Sequence, residues 1–164
     1  MKFLISGGGI CGLTMAIILE QQGHQVEVFE AAAEIKAIGA GLVLSTNAIK
    51  ALKYIGIDQA VLAKANLLDN FDIALAKGER LMKTDAVQFS AKYGTVGNAT
   101  IHRADLHAIL LELLKGKVVF STGKRGQEAI PDNKGVTLKF TDGTNANGDF
   151  LIACDGINLS LIHI

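Results

Sequence analysis

Between Phe3 and Glu30 the chain runs strand, glycine turn, helix, strand and terminal acid, an order that few folds accommodate. Phe3, Leu4 and Ile5 form a short apolar run that stops at Ser6. Gly7-Gly8-Gly9-Ile10-Cys11-Gly12 follows and spells G-x-G-x-x-G at Gly7, Gly9 and Gly12. Gly7 permits a tight turn out of the strand, Gly9 removes a Cβ where backbone must approach a ligand, and Gly12 lets the helix pack closely. Leu13, Ala16, Ile17 and Leu19-Glu20 carry a helical pattern to Gln21-Gln22, where Gly23 supplies a C-terminal cap. Val26, Val28 and Phe29 are β-prone, and Glu30 closes this second strand eighteen residues after Gly12.

This arrangement predicts a dinucleotide site. A helix that opens at Ile10 and Cys11 presents unpaired N–H groups and the positive end of its dipole to an anion, so a pyrophosphate needs no lysine there. Glu30 stands where a carboxylate accepts hydrogen bonds from ribose hydroxyls. The competing reading is a tight turn beside a solvated strand end, which leaves the register of all five features unexplained. A carboxylate at Glu30 also disfavours a 2′-phosphorylated adenosine in this pocket, so FAD or NAD fits better than NADP.

With 164 residues, 49% of them hydrophobic, the chain is expected to form one domain or one lobe of a larger enzyme. Lys plus Arg and Asp plus Glu number 16 each, so no electrostatic footprint for nucleic acid or an anionic membrane is present. Cys11 and Cys154 show neither zinc spacing nor a disulfide framework; both read as small buried filler in a reducing cytoplasm. Glycines break the apolar start, so no secretory leader is expected. The later run Leu13 to Leu19 falls far short of the roughly 20 residues a membrane span needs.

Beyond Glu30, Gly39-Ala40-Gly41 loosens the chain into a strand over Leu42-Val43-Leu44, and Ser45 or Thr46 caps a helix from about Asn47 to Ile55, stopped by Gly56. A short helix over Asp58 to Lys64 follows. Two strands, Asn70 to Ala76 and Leu81 to Lys83, read as a hairpin around Lys77-Gly78-Glu79-Arg80, and Thr84 to Asn98 reads as loop. Leu106, Ile109, Leu110, Leu113 and Leu114 form the buried face of a helix from Leu106 to Leu114. Val118-Val119-Phe120 is a strand, as is Arg125 to Ala129. Pro131 to Gly135 turns the chain into Val136 to Phe140, Asp142-Gly143 turns it again, and Phe150 to Ala153 is the last strand.

Glu30 through Lys36-x-x-Gly39-Ala40-Gly41-Leu42-x-Leu44-x-x-Asn47-Ala48-x-x-Ala51-Leu52 resembles the FAD-dependent aromatic-ring hydroxylases, the para-hydroxybenzoate hydroxylase-like monooxygenases. Lys36 stands where that family carries an arginine near the flavin phosphates; it keeps the charge and loses the planar fork. Thr100 to Leu106 resembles the family's short strand and R-x-x-L helix start, which implies that Arg103 lies near the pyrophosphate and ribityl chain. An ion pair of Arg103 with Asp105 or Glu112 is the alternative. His102 beside it reads as structural.

Asp155-Gly156-Ile157-Asn158-x-Ser160 resembles the family's D-G-x-x-S fingerprint, with the serine one residue late and the following arginine absent. Asp155 and Gly156 are thereby implied at the pyrophosphate, with Asp155 within reach of Lys36 or of a shared phosphate. The resemblance covers nearly all of this sequence and only the first part of the family's length; the second flavin motif, Gly-Asp before an alanine-rich helix, does not occur.

The fold implied is α/β, a Rossmann-like FAD-binding fold with a parallel sheet, a β-meander and part of a second, substrate-facing sheet. Residues 1–164 would be the N-terminal FAD-binding domain of a longer enzyme. The implied function is the FAD-binding portion of a cytoplasmic flavin monooxygenase with NAD(P)H as co-substrate and a small aromatic substrate. A non-catalytic nucleotide-binding fragment and an NAD-dependent dehydrogenase are the rivals. No protein nucleophile, general base or metal ligand is assigned, because the flavin carries the chemistry. The apolar end Leu159 to Ile164 reads as a chain cut inside a fold, and these 164 residues alone are expected not to turn over.

Overall fold

The computed structural model describes residues 1–36, 39–94 and 96–156. In chain order the first elements are β1 (Lys2–Ser6), α1 (Ile10–Gln21), β2 (Gln25–Phe29), β3 (Gly41–Leu44), α2 (Thr46–Tyr54), α3 (Asp58–Leu62), β4 (Asn66–Leu67) and β5 (Asn70–Ala74). Then come β6 (Arg80–Asp85), α4 (Ala86–Tyr93), β7 (Ala99–His102), α5 (Arg103–Leu114), β8 (Val119–Ser121), β9 (Gly126–Asp132), β10 (Gly135–Phe140), β11 (Asn145–Gly148) and β12 (Phe150–Ala153). The chain divides into two compact units, Met1–Lys36 with Leu110–Ile164, and Ala37–Ile109. Among the described residues no helix is long and apolar enough to cross a membrane.

The first unit is a mixed α/β structure around a parallel sheet of order β12-β1-β2-β8. Parallel neighbours require a crossover, and α1 provides it between β1 and β2. Leu13, Ala16, Ile17 and Leu19 of α1 are buried, as befits a helix apolar on most sides. Its end is a Schellman motif: Gly23 adopts φ 79° and its N–H donates to the Glu20 carbonyl, while the His24 N–H donates to that of Leu19.

Side chains alternate across the sheet. Ile5 lies on the α1 side, and Leu4 with Phe29 lies on the other, packed against Leu138 and Phe140 of the antiparallel meander β11-β10-β9. Phe29 and Phe140 meet with ring centroids 4.7 Å apart, and Ala146 and Leu151 close the cluster. At the meander's second turn Asp142 accepts from Thr144 N–H (2.9 Å) and from Lys124 Nζ (2.6 Å), and the Lys124 bond in first place holds its carboxyl far below the usual carboxylate range.

The second unit holds the antiparallel sheet β3-β7-β4 and the separate hairpin β5-β6, with α2 to α4. Ser45 is the N-cap residue of α2, with its hydroxyl on Asn47 Oδ1 rather than on a backbone amide.

Three expectations need correction. Thr84 to Asn98 is not all loop, since it contains α4. Asp85 is the residue before that helix and accepts the Gln88 N–H at 3.3 Å, so Asp85-x-x-Gln88 is a capping signal that apolar periodicity alone does not reveal. Pro131 does not turn the chain; it lies inside β9 opposite Val136, tolerated because β9 is an edge strand and its missing N–H costs no ladder bond. The helix placed from Leu106 begins earlier, at Arg103. The D-G-x-x-S continuation after Gly156, including Ser160, and the apolar end Leu159 to Ile164 lie outside the described residues.

Leu4 is fully buried between the two layers of the first unit. Leu4→Ala should therefore cost about 2–5 kcal/mol. Urea unfolding followed by far-UV circular dichroism checks this, and a midpoint equal to wild type would show that the meander does not pack there.

Candidate functional site

Each glycine of the turn has a different physical necessity. Gly7 sits at φ 108°, and a Cβ there would lie 2.6 Å from the Cys154 carbonyl carbon and 2.9 Å from the Asp155 nitrogen. A Cβ on Gly12 would overlap the Gly7 carbonyl oxygen and press on Ile5 Cγ2 at 3.3 Å. Both positions are closed by backbone, which cannot rotate away. Gly9 is the opposite case: its backbone is extended (φ −76°, ψ −176°), and a Cβ there would meet nothing within 4 Å. Space is therefore kept open at Gly9 beside the helix start, which is the approach a pyrophosphate requires.

Gly9 is also the N-cap residue of α1 and supplies no side-chain acceptor. Leu13 N–H is the donor that bonds back to the Gly9 carbonyl (2.9 Å), so the amides of Ile10, Cys11 and Gly12 stand at the open end of the helix. No acidic residue occupies the first turn to compete with an anion.

Glu30 leaves β2 beside this turn. Its Oε2 accepts the Gly8 N–H and its Oε1 the Ala32 N–H, both at 2.8 Å. Two amides thus fix the carboxylate plane, and each oxygen keeps a further lone pair for a hydroxyl. Gly8 has no assigned job in the G-x-G-x-x-G pattern, yet a Cβ there would meet the Phe120 ring at 2.8 Å and Glu30 Cβ at 3.1 Å. Three glycines in succession were the available sign of it.

At the end of β12 the Cys154 N–H donates to the Ser6 carbonyl at 2.6 Å, which brings Asp155, half-buried, and exposed Gly156 (φ 88°) to the same end of the sheet as the glycine turn. Cys11 is exposed, which corrects its reading as buried filler; a residue two places into the helix faces outward while Leu13 faces the sheet. Its Sγ lies 3.7 Å from that of half-buried Cys154. Burial first, then the neighbouring Cys11 and the Asp155 charge, push the Cys154 thiol up to about 12.

Lys36 is exposed at the edge of the first unit. Arg103 belongs to the second, where its N–H donates to the Ala40 carbonyl at 3.2 Å and its side chain covers Gly39. Asp105 pairs with Lys64 at 3.4 Å and Glu112 with Lys115 at 3.5 Å. His102 is exposed.

The FAD binding domain family model matches residues 1–160. The chain belongs to this family. Its relatives include a 3-hydroxybenzoate 6-hydroxylase from Polaromonas naphthalenivorans, 35% identical over 96% of this chain and 40% of that protein. A FAD-dependent urate hydroxylase from Klebsiella oxytoca is 34% identical over 98% of this chain and 42% of its own length. The crystal structure of Klebsiella pneumoniae HpxO complexed with FAD and uric acid superposes with a TM-score of 0.83 at 31% identity, over 96% of this chain and 40% of that one. The FAD-binding-domain chain thus spans about 40% of the length of the relatives it matches.

The contrast between Gly9 and Gly12 is testable in this domain without any ligand. Gly9→Val should fold with a thermal midpoint within a few degrees of wild type, whereas Gly12→Val should lose the cooperative transition. Equal midpoints for the two variants would show that the turn is not built as described.

Proposed function

We propose that this chain is the FAD-binding portion of a flavin monooxygenase that takes electrons from NAD(P)H and hydroxylates a small aromatic or heterocyclic substrate. The observation that carries the reading is the open space at Gly9 before the amides of Ile10, Cys11 and Gly12, which as the first amides of α1 have no acceptor within the helix. In this reading residues 1–164 act as one FAD-binding domain with a Rossmann-like dinucleotide unit at its start. The pyrophosphate lies against Gly7, Gly9, Ile10, Cys11 and Gly12, and Glu30 receives the ribose hydroxyls on a carboxylate already oriented by Gly8 and Ala32. Lys36, Arg103, Asp155 and Gly156 complete the proposed set on the strength of the family resemblance.

Bound FAD supplies the redox and oxygen chemistry. The chain's residues bind and orient it. Their net effect is electrostatic at the pyrophosphate, where a helix N-terminus meets two negative phosphates, and directional at the ribose, where Glu30 accepts two N–H bonds and offers lone pairs beyond them. Relatives named as a urate hydroxylase, a 3-hydroxybenzoate 6-hydroxylase and a 6-hydroxynicotinate 3-monooxygenase support a small aromatic or heterocyclic substrate. Membership of an FAD binding domain family favours this reading over an NAD-dependent dehydrogenase.

Quenching of flavin fluorescence on titration tests the proposal. Wild type should bind FAD, Glu30→Ala should weaken binding about tenfold, equivalent to ~1.4 kcal/mol, and Gly9→Val should weaken it more. Unchanged affinity in both variants would remove the glycine turn and Glu30 from the site.

A further inference from the structure

Cys11 and Cys154 are 143 residues apart in sequence, yet their sulfurs stand 3.7 Å apart. Backbone holds them there. The Cys154 N–H is bonded to the Ser6 carbonyl at 2.6 Å, and the Cys154 carbonyl fills the space that a Cβ on Gly7 would need. The first turn of α1 is in turn locked against the Gly7 carbonyl by the missing side chain of Gly12. Neither sulfur meets its partner through a long, freely moving side chain, so the approach is a property of the fold. A disulfide length of about 2.05 Å is within about 2 Å of the 3.7 Å at which the two sulfurs already stand.

We propose that Cys11 and Cys154 are a redox modification site, in which a peroxide-class oxidant closes a reversible disulfide between the glycine turn and the end of β12. Cys11 is the exposed member and is the sulfur that oxidant meets. Its thiolate attacks one oxygen of hydrogen peroxide; the O–O bond breaks, hydroxide leaves, and Cys11 becomes a sulfenic acid, oxidised by two electrons while the peroxide is reduced. Cys154 then attacks the Cys11 sulfur, the S–O bond breaks, the S–S bond forms, and the hydroxyl departs as water with the proton from Cys154. Two thiols and one hydrogen peroxide give one disulfide and two waters. Cys154, half-buried with its sulfur 3.7 Å from that of exposed Cys11, is the thiol placed to resolve the sulfenic acid.

One consequence rests on the proposed FAD site: a pyrophosphate seated at the start of α1 covers Cys11 and shields it from the oxidant. Purified full chain is treated with hydrogen peroxide, with and without saturating FAD, then analysed by thiol counting and by mass mapping of linked peptides under non-reducing conditions. The expected result is loss of both thiols, an intramolecular Cys11–Cys154 peptide, recovery of both thiols with dithiothreitol, and a rate of loss about tenfold lower with FAD. Cys154→Ser should instead stop at a Cys11 sulfenic acid that dimedone traps, with a circular dichroism spectrum matching wild type as the folding control. Retention of both thiols, cross-linking only between chains, or over-oxidation of Cys11 without a bridge would overturn the proposal. A bridge that forms at the same rate with FAD bound would leave the redox pair standing and remove the pyrophosphate from Cys11.

Discussion

Backbone-to-backbone contact at the glycine turn is the constraint on which the first unit depends. Gly12 of α1 sits on the Gly7 carbonyl, Gly7 sits on the Cys154 carbonyl, and Cys154 is hydrogen-bonded to Ser6. Helix, turn and two neighbouring parallel strands are thereby locked at one point with no side chain between them. A methyl group at Gly7 or Gly12 would have to displace main chain, which cannot give way by a rotamer change. That lock lets α1 begin with bare amides beside open space, since nothing local is required to hold the helix start in position. Preorganised donors of this kind bind an anion without reorganising.

The parallel sheet then distributes chemistry to one end. Strands β1, β2 and β12 run in the same direction, so the residues following each of them, Gly7, Glu30 and Cys154-Asp155, emerge together. The sheet's other requirement is two covered faces. Helix α1 covers one, and the meander covers part of the other through Leu138 and Phe140 on Leu4 and Phe29. Burial of Leu4 and Ile5 therefore fixes the register of β1, and through it the position of every residue of the turn, because a one-residue slip would exchange the two faces.

Local signals carried much of this structure into the sequence. The order of strand, glycine turn, helix, strand and acid over Phe3 to Glu30 is written in residues a few places apart, and the structure reproduces it element by element. Gly23 at the end of α1 and the hairpin around Gly78 are equally local. Helix α4 is hard to read because it is only eight residues long and its start is marked by Asp85 and Gln88, polar residues easily read as loop. Pro131 misled because its cost depends on whether a strand is at an edge, a property of the sheet's order that only tertiary structure decides. The approach of Cys11 to Cys154 was illegible for the same reason: β12 becomes the neighbour of β1 through pairing across nearly the whole chain. The role of Gly8 was hidden because the Phe120 ring that excludes a side chain there comes from β8.

The decisive contact is that between the FAD phosphates and the amides at the start of α1. Backbone amide NMR of the 15N-labelled chain during titration with FAD reads those groups directly. The largest shifts are expected at Gly9, Ile10, Cys11 and Gly12, with Gly8 and Ala32 following as Glu30 takes up the ribose. Saturable FAD binding that leaves these amides unmoved would place the cofactor elsewhere and contradict the account.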